Sequence, residues 1–237
     1  MVPVMKHDLD LSDVPGKPVL VGVGGSHAYG LATAESDIDY RGVYVIPTSD
    51  LFGLTTPPET YDRHNPDCAL HEVAKFLRLA SAANPTVLEV LYYNDYPIKT
   101  EVVGQALLDN RDLFITSKIR ATHIGYASAQ FERLKKRQNS FSSDTAKRTA
   151  KHARHLLRLL RQAEQALTTG KFDLAVLDRE EIFAFGELEH SKMVYKAERE
   201  ILRVKNVESI LPEYPDMDAI NNLLISIRWG ALEGSLR

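Results

Sequence analysis

The pattern of apolar positions divides the chain into a first part with strand character and a second part with helical character. A valine-rich run that ends in glycines, PVLVGVGGS at 18–26, predicts a buried strand leading into a tight turn. The alternating segment DIDYRGVYVI at 37–46 predicts a second strand, and 59–73 contains the signal of a third. Helical spacing begins near residue 73, and Asn84-Pro85 provides an N-cap and an N1 proline for the next helix, TVLEVLYY.

Strand signals almost disappear after residue 112. Amphipathic spacing predicts helices over 117–137 and 145–169, separated by the polar stretch NSFSSDT, and a last helix over AINNLLISIRWGAL. This order of elements predicts a mixed α and β part followed by a helical part. We therefore expect two domains, 1–112 and 113–237.

The net charge of −3 hides an uneven distribution along the chain. Residues 1–117 contain 8 Lys/Arg and 16 Asp/Glu, residues 118–161 contain 12 and 2, and residues 162–237 contain 9 and 14. The central segment is therefore strongly basic. Such a segment attracts a polyanion, for example a nucleoside triphosphate or a nucleic acid, and a solvated helix face is the alternative interpretation.

The remaining composition indicates a soluble protein of the cytoplasm. Cys68 is the only cysteine, which excludes an intrachain disulfide, and we expect it to be a small buried residue. The N-terminal sequence MVPVMKHDLD lacks the basic end and the apolar run of a signal peptide. No apolar stretch approaches the roughly 18 residues of a membrane-spanning helix, so we expect no membrane contact.

The turn after the first predicted strand lies close in sequence to a pair of aspartates. On a strand, Asp37 and Asp39 would point to the same side about 7 Å apart and would repel each other. Mg²⁺ offsets such repulsion, because it binds one or two carboxylates together with substrate phosphate oxygens. In the turn Gly24-Gly25-Ser26, glycines let backbone N–H groups approach a phosphate, and the short predicted helix SHAYGLAT directs its N-terminus to the same anion. The stretch predicts a metal site beside a phosphate-binding turn, with two surface aspartates as the alternative.

The chain resembles the predicted nucleotidyltransferases of the DNA polymerase β superfamily that occur in phages and bacteria, some of them linked to RNA repair. The resemblance spans about residues 18–225 and rests on GSHAYGLATAESDIDYRGVYV, KFLRLASAANPTVLEVLY, KHARHLLRLL, LDREEIFAFGE and SILPEYPDMDAINNLL. It implies an α+β fold with a mixed, polymerase β-like sheet and a helical C-terminal domain. It also implies a transferase that uses Mg²⁺, or alternatively Mn²⁺, and an NTP such as ATP.

The resemblance also implies which carboxylates carry the reaction. Asp37 and Asp39 would be catalytic and would bind the metals of a two-metal mechanism. The superfamily adds a third carboxylate from a neighbouring strand. Glu72 matches that place, and Asp67 is the alternative.

Cations recur on one face of the helix predicted over 145–169. Those that match the family pattern are Lys151, His155 and Arg158. We expect Lys151 and Arg158 to bind the triphosphate, whose transfer requires charge neutralisation. His155 would bind phosphate or pack between helices. Arg41, directly after the aspartates, would bind phosphate or order the carboxylates through an ion pair.

The predicted function is transfer of a nucleoside monophosphate from an NTP to a hydroxyl acceptor, with release of pyrophosphate. The acceptor would be an RNA 3′ end, such as that of a tRNA, or a protein hydroxyl. A basic run that includes Lys135, Lys136 and Arg137 would contact an acceptor nucleic acid or form a solvated face. Two other classes stay open, a catalytically silent nucleotide-binding regulator and a basic nucleic-acid-binding module. The expected location is the cytoplasm, which is the host cytoplasm if a phage encodes the protein.

Overall fold

The computed structural model describes residues 9–136 and 143–235, which form a five-stranded mixed sheet and a set of helices. The strands are β1 (Lys17–Val23), β2 (Tyr40–Val45), β3 (Thr60–His64), β4 (Asp67–Glu72) and β5 (Ile98–Lys99). The helices are α1 (Gly25–Ala28), α2 (Val73–Ser81), α3 (Pro85–Glu89), α4 (Val103–Asp109), α5 (Lys118–Lys136), α6 (Ser143–Thr169), α7 (Arg179–Gly186), α8 (His190–Lys205) and α9 (Met217–Ser235). The α+β class predicted from the sequence is confirmed.

The strand order β3-β4-β2-β1-β5 determines which chain segments meet at each edge of the sheet. β1 runs antiparallel to both β2 and β5, and β3 runs antiparallel to β4. β2 and β4 are parallel, with Tyr40 opposite Cys68 and Tyr44 opposite Glu72. Because parallel strands begin at the same edge, the residues before β2 lie beside the first residues of β4.

The two faces of the sheet are covered by different parts of the chain. On one face Val43 and Val45 join a large apolar core with residues of α2, α3, α5 and α6. On the other face Tyr44 and Leu70 pack with Leu11 of the N-terminal segment. The alternation of neighbouring β2 residues between the two cores is the two-residue period of a strand that is buried on both sides. The smaller core also contains the fully buried Cys68, as the sequence predicts.

Side-chain caps define where several helices begin. Glu72 accepts a hydrogen bond from the backbone N–H of Ala74 at 2.8 Å and caps α2. Asn84 accepts one from Val87 at 3.3 Å and caps α3, with Pro85 in its first turn, so this sequence prediction is confirmed. Each cap satisfies an N–H group that lacks a partner within the helix.

The helical part packs directly on the sheet part. The large core contains residues from both sides of residue 112, among them Phe76 of α2 and Leu156 of α6. The division into domains 1–112 and 113–237 stays a prediction.

Several element boundaries differ from those predicted. The second strand begins at Tyr40 instead of residue 37, and 59–73 contains two strands, β3 and β4, instead of one. The two long helices closely follow the predicted spans, whereas most of the polar stretch between them lies outside the described residues. The sequence pattern did not mark β5, α4, α7 or α8. In the described parts of the chain, no helix combines the length and the apolar character that crossing a membrane requires.

Candidate active site

The glycine turn after β1 contacts the second aspartate directly. Gly24 donates its N–H to the backbone carbonyl of Asp39 at 2.8 Å. Gly25 has a φ of +60°, in the left-handed region that glycine adopts without strain, and a Cβ at this position would overlap Asp39 Oδ2. A glycine is therefore required here on both conformational and steric grounds. Ser26 lies half-buried in the single turn of α1 that follows.

Asp37 and Asp39 lie in the segment that precedes β2, not on the strand itself. Asp37 is exposed and Asp39 is half-buried. The sequence pattern placed both carboxylates on the same side of a strand. That prediction does not apply, because neither residue is on the strand. What places Asp39 is its backbone bond to Gly24 and the packing of its carboxylate against Gly25.

Asp67 is the carboxylate that the sheet brings to Asp39. Tyr40 of β2 is opposite Cys68 of the parallel strand β4. Asp39 and Asp67 each come one residue earlier in the chain, and the register therefore places them side by side. Arg41 joins the two acids, because its guanidinium donates to both carboxylate oxygens of Asp67, at 2.9 and 3.1 Å, and lies 4.0 Å from Asp39 Oδ1. Of the two roles predicted for Arg41, the structure shows the ion pair that orders the carboxylates.

The environment disfavours charge on Asp39 and favours it on Asp67. Burial raises the pKa of the Asp39 carboxyl and the neighbouring Asp67 raises it further, against the opposing charges of Arg41 and Lys151. Hydrogen bonds from Arg41 lower the pKa of Asp67. The pair therefore disfavours two negative charges at once, a condition that a bound cation would relieve.

Glu72 does not lie with the aspartates, which corrects the assignment that the sequence favoured. It is at the far end of β4, five residues or about 16 Å from Asp67. Its side chain is 3% exposed, caps α2, and forms a 2.7 Å ion pair with Arg228 of α9. These contacts use both carboxylate oxygens to attach helices to the sheet.

The described residues contain no group of three or more His, Cys, Asp or Glu side chains with the arrangement of a metal site. The donor chemistry nevertheless fits Mg²⁺ at the turn, because carboxylate oxygens are hard ligands and a substrate phosphate completes such a site. Asp39 and Asp67, which the register brings together, are the residues that would hold it.

Of the three residues predicted to bind phosphate on α6, Lys151 is the exposed one. Its charge acts on Asp39. His155 lies one turn further along the helix. Burial, followed by the charge of Arg158, lowers the pKa of His155 to about 3, so the ring is neutral at pH 7. Arg158 donates to Nδ1 of His155 at 3.3 Å, and the ring proton is therefore on Nε2.

Arg158 is buried and already paired, which corrects the triphosphate-binding role predicted for it. Its guanidinium forms a 2.7 Å ion pair with Glu89 of α3, and both side chains are 2% exposed. It also donates to Gln162 at 3.1 Å and lies 3.7 Å from the centre of the Tyr29 ring. Pairing with Glu89 outweighs the effect of burial and raises the pKa of Arg158. Arg158 thus attaches α6 to the sheet part.

Below the turn lies a support that the sequence did not predict. It consists of Tyr29, Glu89 and Tyr93. The Tyr29 hydroxyl donates to Glu89 Oε2 at 2.6 Å. The Tyr93 hydroxyl packs so closely against Gly24 that a Cβ there would lie 2.5 Å from it. Glu89 is in a short apolar helix, and no local pattern marks it as the partner of a residue 69 positions later. The position of Tyr29, just after the glycine turn, is the one signal that could have indicated it.

The mixed sheet, the glycine turn against an aspartate and the helical second part together define a polymerase β-like nucleotidyltransferase. Residues 16–224 match the sequence profile of RlaP, the RNA repair pathway DNA polymerase beta family. The chain therefore belongs to this family.

Two relatives illustrate how far the likeness extends. An "uncharacterized 38.9 kDa protein in nrdC-mobD intergenic region" of Enterobacteria phage T4 is 29% identical in an alignment of 129 residues that covers 48% of this chain and 38% of the phage protein. The chain thus matches less than half the length of this relative. A crystal structure of a nucleotidyltransferase-like protein from Exiguobacterium sibiricum is 13% identical and aligns over 81% of this chain and 70% of its own, with a TM-score of 0.32. That score is too low to support an argument about function.

Proposed function

We propose that this chain transfers a nucleoside monophosphate from an NTP to a hydroxyl acceptor and releases pyrophosphate. The observation that carries the proposal is the contact of the Asp39 carboxylate with the backbone of Gly25. This contact puts a turn suited to phosphate beside a carboxylate suited to a divalent cation. Membership of the polymerase β-like family supports the same reaction class.

The carboxylates around the turn would hold the metal. Asp37 and Asp39 are its proposed ligands, and Asp67 replaces Glu72 as the third carboxylate. Bound Mg²⁺ would neutralise charge on the triphosphate and polarise the reacting phosphoryl group. The raised pKa of Asp39 supports this assignment, because a cation offsets the cost of ionising a half-buried carboxyl beside Asp67.

In the proposed reaction the acceptor oxygen forms a bond to the α-phosphorus as the bond to the bridging β-phosphate oxygen breaks. Pyrophosphate leaves with the electron pair of that bond. Asp67, which Arg41 keeps ionised, accepts the proton of the attacking hydroxyl and passes it to solvent. Lys151 is exposed and its charge acts on Asp39, and in the proposed reaction it stabilises the negative charge of the triphosphate.

Labelling with each α-³²P NTP tests this proposal. The protein is incubated with Mg²⁺ and either total RNA or total protein, and we expect label in one polymer together with pyrophosphate in solution. Asp37→Asn and Asp39→Asn should each lower the rate by orders of magnitude. Asp39→Asn should melt at or above the wild-type temperature without metal, because it removes the repulsion between this carboxylate and Asp67. NTP binding without pyrophosphate formation under any of these conditions would contradict the enzyme and favour a regulatory protein.

Lys151→Ala tests the triphosphate contact separately. Losing a charge-assisted hydrogen bond should weaken NTP binding by about 1.5–3 kcal/mol, as measured by calorimetry. Lys147→Ala is the matched control, because it also removes an exposed charge, one turn earlier on α6. Equal NTP affinities of the two variants would refute the role of Lys151.

A further inference from the structure

A groove of about 770 Å³ opens between the start of α3 and the helices α5 and α6. Its lining includes Asn84, Thr86, Tyr126, Gln130 and His155. The groove therefore combines an aromatic ring, two amide side chains and a neutral imidazole. None of the residues assigned to the reaction lines it.

Tyr126 gives this groove an exposed aromatic surface in a fixed position. The residue is 39% exposed although it is on a helix that packs into the core. Asn84 donates to the Tyr126 hydroxyl at 3.2 Å, while the other atom of its amide caps α3. A ring held in this way is suited to stacking, since little side-chain freedom is lost when a flat ligand binds.

The groove is basic because Arg133 is the one charged side chain among its described lining residues, and none of them is a carboxylate. Arg133 lines it and is exposed, and its charge contributes to the lowered pKa of His155. Lys135 and Lys136 follow in the last turn of α5 but do not line the groove, and Lys135 forms a 3.4 Å ion pair with Glu132. By contrast, a cavity between α6 and α7 is lined by Glu164, among other acids. Of these two cavities, only the basic groove has a charge suited to a polyanion.

The groove and the candidate active site are connected through helix α6. His155 lines the groove, and Lys151, four residues earlier on α6, acts on Asp39. Residues four apart on a helix are neighbours on its surface. A chain molecule that lies in the groove can therefore extend towards the aspartates.

We propose that the groove binds a single-stranded polynucleotide, which is the acceptor of the reaction. One base stacks on Tyr126, a phosphate pairs with Arg133, and the terminal sugar hydroxyl reaches the site at Asp39. An aromatic stacking surface combined with cations is the arrangement by which proteins bind single strands. The assignment rests on the proposed function, of which it names the acceptor class.

Binding of fluorescent single-stranded 12-mers of RNA and of DNA, measured by anisotropy without NTP or metal, tests the groove. Tyr126→Ala should weaken binding of at least one of them about 5- to 150-fold, the effect of losing one stacked base. Tyr126→Phe should bind within about twofold of wild type, because the ring stays. Arg133→Ala should lower the slope of log affinity against log salt by about 0.7, the value for one phosphate of a single strand.

Matched substitutions on α8 serve as controls. Tyr195→Ala removes an exposed tyrosine and Lys192→Ala an exposed charge, both away from the groove, and neither should change oligonucleotide affinity. The proposal is wrong if Tyr126→Ala and Arg133→Ala bind oligonucleotides as wild type does, or if no oligonucleotide binds. It is also wrong if the α-³²P NTP labels polypeptide and Tyr126→Ala changes that labelling without changing oligonucleotide binding.

The two proposals fail in different ways. If pyrophosphate forms but the groove variants bind oligonucleotides normally, the groove assignment fails and the transferase stands. If the groove variants lose affinity as expected but no NTP yields pyrophosphate, the groove stands as a binding site and the transferase fails. Oligonucleotide binding is also measured with Asp39→Asn, a variant expected to lose transfer activity. The affinity of the groove is thereby measured independently of pyrophosphate formation.

Discussion

The buried ion pair between Arg158 and Glu89 should contribute strongly to the stability of the fold. Both side chains are 2% exposed, and the two charged groups are 2.7 Å apart. Glu89→Gln removes the negative charge with little change of shape. The guanidinium of Arg158 then stays buried and charged, since arginine does not lose its proton in proteins.

The expected magnitude follows from this burial. Removing one partner of a buried pair costs about 3–5 kcal/mol, because the other charge is left without compensation. The pair of Arg78 with Glu59 is a control of equal geometry, since it has the same 2.7 Å distance but side chains that are 61% and 46% exposed. Glu59→Gln should cost less than about 1 kcal/mol. The difference between the two variants isolates the effect of burial.

Urea unfolding followed by circular dichroism measures both free energies of unfolding. The double variant Glu89→Leu/Arg158→Leu should recover much of the loss, because it leaves no buried charge. If Glu89→Gln is too unstable to measure, Tyr29→Phe removes only the 2.6 Å hydrogen bond to Glu89 and should cost about 1.5–3 kcal/mol. A loss in Glu89→Gln no larger than that in Glu59→Gln would refute the reasoning.

Three further outcomes are expected. Gly25→Ala should abolish nucleotidyl transfer, because the added Cβ overlaps the Asp39 carboxylate; wild-type rates would contradict the packing of the turn. His123 and His155 each have a pKa lowered to about 3 in the folded protein, whereas the pKa of an unfolded histidine is near 6.5. Below pH 6.5 the unfolded state therefore binds protons that the folded state does not. Each histidine should then lower the free energy of unfolding by about 1.4 kcal/mol per pH unit. Urea midpoints between pH 7.5 and 5.5 should show this decline, and His155→Gln should reduce it. Glu72→Gln should lower the melting temperature by weakening its pair with Arg228, yet leave the activity of the folded protein intact; a selective loss of activity would restore Glu72 to the site.

The sequence was sufficient for features that depend on neighbouring residues. The run that ends at Gly24 predicted β1 and its turn, and Asn84-Pro85 predicted the start of α3. Both are local, because a cap or a tight turn needs only a few consecutive residues with the right side chains. The start of β2 was missed by three residues, since the alternating pattern includes Asp37 and Asp39 although the strand ladder begins at Tyr40.

The two corrections to the site both concern long-range partners. The sequence favoured Glu72 over Asp67 as the third carboxylate, although both are in the same strand-forming segment. The parallel register of β2 and β4 makes the choice, and it puts Asp67 beside Asp39. Arg158 looked like a phosphate ligand because it shares a helix face with Lys151, and periodicity cannot indicate which part of that face is buried.

The sequence by itself determined the glycine turn, the neighbouring aspartates and the basic character of α5 and α6. Those features follow from residue type and short spacing, which set backbone conformation and charge directly. Only the tertiary structure decided that Asp67 lies beside Asp39, that Arg158 is paired with Glu89 and that a basic groove containing Tyr126 opens between α3, α5 and α6. The physical reason is that strand register, burial and cavity shape arise from contacts between residues far apart in the chain. The free energy of a charged group depends on those contacts more than on its neighbours in sequence.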